Sequence, residues 1–290
     1  MDTDLEAAAI GSDVPPGPFQ VAVHSVFRGA LNLQPGNGGG LVTVIDDPAL
    51  DHPRSIRLGA AQDFTTLGLL PLAAGRFDPE GILLERPGGP PLRIGCRKAV
   101  RPRPRTLPAI RRLGASWQAA AALLCARQAQ AGADLRLDHL LGPDHPQGLL
   151  GQRLASAALA LGRAVGDGAR DPAREAAATL VGLGGGLTPS GDDFLCGFLA
   201  AARCRPDPGR LPLRAALERE ILDRVGDTND ISATLLRCAA EGKVGRALDR
   251  LARAIQAGRG PGPALAVLCA FGHSSGMDAA TGFLYGLGVW

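Results

Sequence analysis

The sequence predicts an α+β chain in two parts. An antiparallel β-rich domain, a sheet or a small barrel, occupies residues 1–105, and a mostly α-helical domain occupies residues 106–290. Three observations carry this. Short apolar runs rich in β-branched residues, separated by strong turn formers, fill residues 19–100. The segment Arg101-Pro102-Arg103-Pro104-Arg105 follows, in which alternate prolines forbid a helix or a central strand and favour an extended link. Beyond Leu107, alanine- and leucine-rich stretches of helical length take over.

Within the first part, residues 19–27, 41–45, 55–58 and 81–84 have strand length and composition, and the breakers 34–40 (QPGNGGG) and 86–91 (RPGGPP) suit hairpins. His24, inside an apolar strand, reads as a core imidazole. The Arg-Pro segment reads as a solvated linker. In the second part, helices are predicted over 108–131, 149–165, 172–180, 189–202, 212–225, 230–240, 244–257 and 277–287. No fixed-period repeat is evident along the chain. Gly276, Gly282, Gly286 and Gly288 thin the last helix at roughly 1 kcal/mol each relative to alanine, which predicts close packing against a neighbour.

Composition narrows the function. The 31 basic and 28 acidic residues leave a net charge of +3, too even to hold a polyanion without local clustering, so no nucleic-acid partner is expected. Lys98 and Lys243 are the only lysines, which leaves little room for Schiff-base or Walker-type chemistry. The first ten residues are acidic, and the longest apolar run, 119–126, falls far short of the ~20 residues that span a bilayer. A soluble, cytoplasmic protein with no membrane contact is expected. The six cysteines lie apart with no CxxC pair, as core thiols do rather than disulfides or zinc ligands.

Three loop-to-helix junctions hold the candidate chemistry. The densest is residues 182–195 (GLGGGLTPSGDDFL), where glycines allow positive φ, Thr188 suits an N-cap and Pro189 the first helical position. A helix start of this kind presents N–H groups and a positive dipole end to an anion. It is neither a Walker A loop nor GxGxxG. Asp192 and Asp193 in the first turn would repel phosphate, and a magnesium ion held by both would reconcile them. The second junction is residues 227–232 (DTNDIS), with Thr228 as cap. The third is residues 272–278 (GHSSGMD), where His273 has general acid–base chemistry. Ser190 lies in Thr-Pro-Ser-Gly-Asp rather than GxSxG, which disfavours a serine nucleophile.

GLGGGLTPSGDDFLCG, TNDIS and GHSSGMDAATGFLYGL, together with SVFRGALNL at residues 25–33, resemble a bacterial family of undetermined function that contains the AllH subunit of oxamate carbamoyltransferase. The resemblance implies work beside two other subunits in allantoin and purine-nitrogen breakdown, exchanging a carbamoyl group between oxalurate and phosphate to give oxamate and carbamoyl phosphate. Such a transfer needs an anion cradle, an electrophile and a proton shuttle. Gly184, Gly185, Gly186, Thr188, Ser190 and Gly191 are therefore assigned to the phosphate or carboxylate. Asp192 or Asp193 is assigned to magnesium or a substrate amide, and His273 with Ser274 and Ser275 to the transferring group. Thr228 and Ser232 complete the wall. The catalytic set is thus His273, Asp193 and Asp192. Two other readings stay open: a noncatalytic scaffold or regulatory subunit, and a magnesium-dependent nucleotide- or acyl-phosphate-binding enzyme of kinase type.

Overall fold

The computed structural model describes residues 4–104 and 106–290, and the chain divides into two compact units at residues 104 and 105. Arg105, where the sequence places the boundary, lies outside the described residues.

In the first unit, β1 (Asp4–Ile10), β2 (Phe19–Phe27), β3 (Ala30–Pro35), β4 (Val42–Ile45), β5 (Ser55–Leu58), β6 (Ala74–Asp78), β7 (Gly81–Leu84) and β8 (Leu92–Gly95) follow one another. They close into a barrel in the order β1-β5-β4-β3-β2-β6-β7-β8. The barrel is largely antiparallel, but β4–β5 and the closing pair β1–β8 are parallel. The 46–54 connection, with its 3-10 turn Pro48–Leu50, carries the chain back to re-enter beside β4 in the same direction.

Val23, Leu31, Val44, Ile56, Phe64, Leu84, Leu92 and Ile94 fill the interior with no exposed surface. Closure buries Asn32 among them, a residue that masks β3 in the sequence. The amide is satisfied across three strands: Thr43 Oγ1 donates to its Oδ1 at 2.8 Å, and its Nδ2 donates to Ser25 Oγ at 3.0 Å. His24 is half-buried with Nδ1 at 3.0 Å from Ser25 Oγ. It is not the core imidazole expected, because Val21 and Val23 take the buried face of β2 and strand alternation turns His24 to the other.

Arg54 ties the loops at one end of the barrel, donating from Nε to the Leu41 carbonyl at 2.9 Å and from Nη2 to the Gly40 carbonyl at 2.7 Å. Its Nη1 donates to the Asp13 carbonyl at 3.2 Å. Arg54→Met is expected to cost about 2–4 kcal/mol through carbonyls left unpaired in a buried setting, read as a lower urea midpoint. Arg101, on the predicted solvated linker, also reaches back to the barrel, donating to the Val14 carbonyl at 3.1 Å.

The second unit contains α1 (Ala115–Ala131), α2 (Asp138–Leu141), α3 (Leu149–Gly166), α4 (Arg170–Leu180), α5 (Ser190–Cys204), α6 (Leu211–Asp223), α7 (Asp230–Ala240), α8 (Arg246–Gln256), α9 (Gly262–Cys269) and α10 (Ser275–Val289). The predicted 108–131 helix begins only at Ala115, behind Gly114. The preceding residues pair elsewhere: Ile110 N–H donates to the Cys204 carbonyl at 2.7 Å, and Arg205 donates to the carbonyls of Ile110 and Arg111. α2 and α9 were not expected, being too short for a periodic pattern.

α5 and α10 form the centre. Phe194, Phe198, Phe283 and Leu284 have no exposed surface. A Cβ on Gly282 would fall 1.9 Å from the Phe194 carbonyl oxygen, and one on Gly197 would fall 1.9 Å from that of Ala279. Gly286 lies against Phe198 and Ala201. Gly282 thus meets Phe194 and Gly286 meets Phe198, so the two helices run parallel and begin at the same end. Gly276 is equally tight, whereas Gly288 faces open space, so the expected close packing holds for three of the four glycines. Parallel dipoles repel, and acidic residues in both first turns, Asp192 and Asp193 in α5 and Asp278 in α10, offset this.

Candidate functional site

The loop between α4 and α5 needs its glycines. Gly182, Gly184 and Gly186 have φ of +71°, +133° and +88°, and a Cβ on Gly184 would lie 2.6 Å from the Ser190 nitrogen. The N-cap of α5 is Pro189, not Thr188. Thr188 shares a hydrogen bond with the Ser275 hydroxyl at the start of α10 instead. Likewise, Asn229 rather than Thr228 caps α7, accepting from the N–H groups of Ile231 and Ser232. Thr228 Oγ1 is left to donate to Asp192 Oδ2 at 2.5 Å. In both junctions the neighbouring residue takes the cap position, and the threonine hydroxyl bridges to another helix start.

Three buried carboxylates sit where these starts meet. Asp192 accepts from Gly182 N–H at 2.8 Å and from Thr228, and Ser232 faces it. Burial raises its pKa and these donors oppose the rise. Asp192 therefore staples the glycine loop to the start of α7. Asp193, 5% exposed, is pushed well above the ordinary carboxyl range by burial, with Asp278 and Asp192 adding to the rise and the Thr188 and Ser275 hydroxyls opposing it. Asp278, 2% exposed, is pushed up to about 7 by burial, with Ser190 and Ser274 opposing and Asp134 adding. Asp193 Oδ2 and Asp278 Oδ2 are both buried without a hydrogen-bond partner.

Of the residues expected at the site, the structure gathers Thr188, Ser190, Asp192, Asp193, Thr228, Ser232, Ser274 and Ser275. Gly191 is buried in the first turn of α5 and donates to the Leu183 carbonyl at 2.8 Å. Gly185, Gly186 and His273 lie exposed on their loops. Asp278 was not expected, because an acidic residue in a first turn reads from sequence as an ordinary dipole partner, and only tertiary packing buries it. Among the described residues, no group of three or more His, Cys, Asp or Glu side chains is placed to hold a metal ion.

Asp134, which acts on Asp278, also lines a polar cavity of about 490 Å³ with Arg136, His139, Asp144 and His145. His139 Nδ1 accepts from the Arg136 N–H at 3.2 Å, and burial lowers its pKa. Thr228→Val is expected to cost about 1–3 kcal/mol by leaving Asp192 short of a donor, read as a lower midpoint of thermal unfolding.

The profile described as oxamate carbamoyltransferase subunit AllH matches residues 180–287, which contain all three helix starts. The profile of the AllH family N-terminal domain matches residues 5–101, the barrel. The chain belongs to the AllH family. No curated protein and no solved structure matched it. In this AllH-family chain the barrel and the α5–α10 region therefore correspond to separate family modules, and Asp192, Asp193 and Asp278 all fall in the second. No helix among the described residues is long and apolar enough to cross a membrane.

Proposed function

We propose that this chain is one subunit of an oxamate carbamoyltransferase-like enzyme, and that the shared start of α5, α7 and α10 is its contribution to the site. The reaction is exchange of a carbamoyl group between oxalurate and phosphate, giving oxamate and carbamoyl phosphate. The observation that carries this is the convergence of three hydroxyl- and carboxyl-bearing helix starts, far apart in sequence, through the Thr188–Ser275 and Thr228–Asp192 bonds.

The parallel starts of α5 and α10 place two positive dipole ends side by side, a suitable cradle for phosphate or for the carboxylate of oxamate. Ser190, Ser274 and Ser275 supply hydroxyls for the carbamoyl group. The exposed Gly185, Gly186 and His273 form the rim, where two companion subunits complete the enclosure. A scaffold role would be favoured by exposed apolar surface at residues 282–290 together with no concave pocket near Asp193; of these, the exposed apolar surface is not met, because Phe283, Leu284, Leu287 and Trp290 are buried within the unit.

The test is phosphate-dependent cleavage of oxalurate by the chain assembled with its two companion subunits. Asp193→Ala combined with His273→Ala is expected to lower the rate at least ~100-fold, and full activity in that variant contradicts the reading. The chain alone is expected to be inactive.

A further inference from the structure

We infer that Asp193 and Asp278 form a carboxyl dyad, assembled by a duplicated helix start, that shares one proton and carries it between the two ends of the transfer. The inference rests on the carbamoyl-transfer reading for its chemistry, although the dyad itself is testable without it.

The duplication is visible in residues and in packing. α5 opens with Ser190-Gly191-Asp192-Asp193, and α10 opens with Ser275-Gly276-Met277-Asp278. The match continues in register through Gly197 and Gly282, Phe198 and Phe283, and Leu199 and Leu284. Contacts obey the same equivalence. A Cβ on Gly191 would strike the Leu180 carbonyl at the end of α4 at 2.1 Å, and one on Gly276 would strike the Leu268 carbonyl near the end of α9 at 1.8 Å. Gly197 faces the Ala279 carbonyl while Gly282 faces that of Phe194, its counterpart, both at 1.9 Å. An approximate two-fold axis therefore relates α4–α5 to α9–α10.

The axis crosses the carboxylates. Ser275 of α10 faces Asp193 of α5, and Ser190 of α5 faces Asp278 of α10. The same oxygen, Oδ2, is left buried and unpartnered in each. Asp192 and Met277 break the equivalence, and Asp192 is committed to the glycine loop and Thr228. The charged groups that act on the pair are Asp192 beside Asp193 and Asp134 beside Asp278, both acidic. Two such carboxyls cannot both ionise in a desolvated site, so one proton is retained. A pair that keeps one proton carries one negative charge instead of two, which lessens its repulsion of an anionic substrate.

In the direction from carbamoyl phosphate, the oxamate amide nitrogen forms a C–N bond to the carbamoyl carbon and gives its proton to the ionised carboxylate of the dyad. The C–O bond to phosphate breaks, its electron pair stays on the phosphate oxygen, and that oxygen takes the proton of the other carboxyl. Oxalurate and hydrogen phosphate leave. The dyad holds one proton before and after, on opposite members, which suits a reversible exchange.

The test uses Asp193→Asn and Asp278→Asn in the assembled complex, with oxalurate phosphorolysis measured from about pH 5 to 9, and thermal unfolding of each full chain over the same range. Each variant is expected to lose about 10²- to 10⁴-fold in kcat and the wild-type pH limb near neutrality, with no loss of stability at pH 8. An equal, pH-independent fall in rate with lower stability at every pH would assign both residues a packing role and overturn the dyad. Magnesium chloride binding to the wild-type chain by calorimetry, abolished in both variants, would make the pair a cation site and also overturn it. A wild-type complex without carbamoyl transfer, whose chain still takes up protons on folding between about pH 4 and 7 and takes up fewer when either Asp193 or Asp278 is replaced, would refute the reaction and retain the dyad.

Discussion

Replacing Asp278 by asparagine is expected to make the chain more stable at pH 8 and the assembled enzyme nearly inactive. The carboxyl keeps its proton up to about pH 7 in the folded chain but releases it near pH 3.8 when unfolded. Folding therefore takes up a proton between these values. The stabilisation from the protonated group is complete below about pH 3.8 and is lost as pH rises towards 7. Above pH 7 the fold carries a desolvated carboxylate at a cost of about 4 kcal/mol. Asparagine keeps partners in Ser190 and Ser274 without the charge, so much of that cost is recovered at pH 8 and none at pH 4. Tm at pH 4, 6 and 8 checks this. A rise confined to the higher pH values, together with lost activity, marks a residue held at the expense of stability for its chemistry.

Alanine at Gly282 or Gly197 is expected to be among the most damaging single substitutions in the helical unit. Each Cβ would stand 1.9 Å from a carbonyl oxygen of the opposite helix, and backbone cannot rotate away as a side chain does. α5 and α10 must part, opening the contacts of Phe194, Phe198 and Phe283 and pulling Asp193 away from Ser275. The expected cost is at least about 3 kcal/mol, or about 6–12 °C in Tm for a unit of this size. Gly288→Ala is the contrast: its Cβ meets nothing within 4 Å, and up to about 1 kcal/mol is gained from helix propensity. Equal losses at Gly282 and Gly288 would refute the packing argument.

Elements built from local periodicity were legible in the sequence. α3 and α7 begin and end within a residue of expectation, because apolar spacing and flanking glycines or caps decide them. The strands β1, β3, β6 and β8 were not, since Ala7–Ala9 reads as helix former, Asn32 interrupts β3, Gly75 and Arg76 interrupt β6, and β8 follows directly on the Pro90-Pro91 breaker with Arg93 inside it. Their identity depends on barrel closure, which supplies Asn32 with Thr43 and Ser25. At the site, the three junctions and most of their polar residues were legible as helix starts. Their partnerships were not. Thr188 and Thr228 both resemble caps, and only the presence of Pro189 and Asn229 at the cap positions frees their hydroxyls to bridge. The Ser-Gly-x-Asp duplication was present in the sequence, but two copies without a constant period do not register as a repeat until α5 and α10 are seen to pack through them.

The most direct measurement is the rate of phosphate-dependent oxalurate cleavage by the assembled complex carrying Asp278→Asn, compared with wild type at neutral pH, with assembly verified for both. A fall of at least about 100-fold in a correctly assembled complex is expected if the paired helix starts perform the transfer. Activity within about twofold of wild type, less than 1 kcal/mol of transition-state stabilisation, would contradict it.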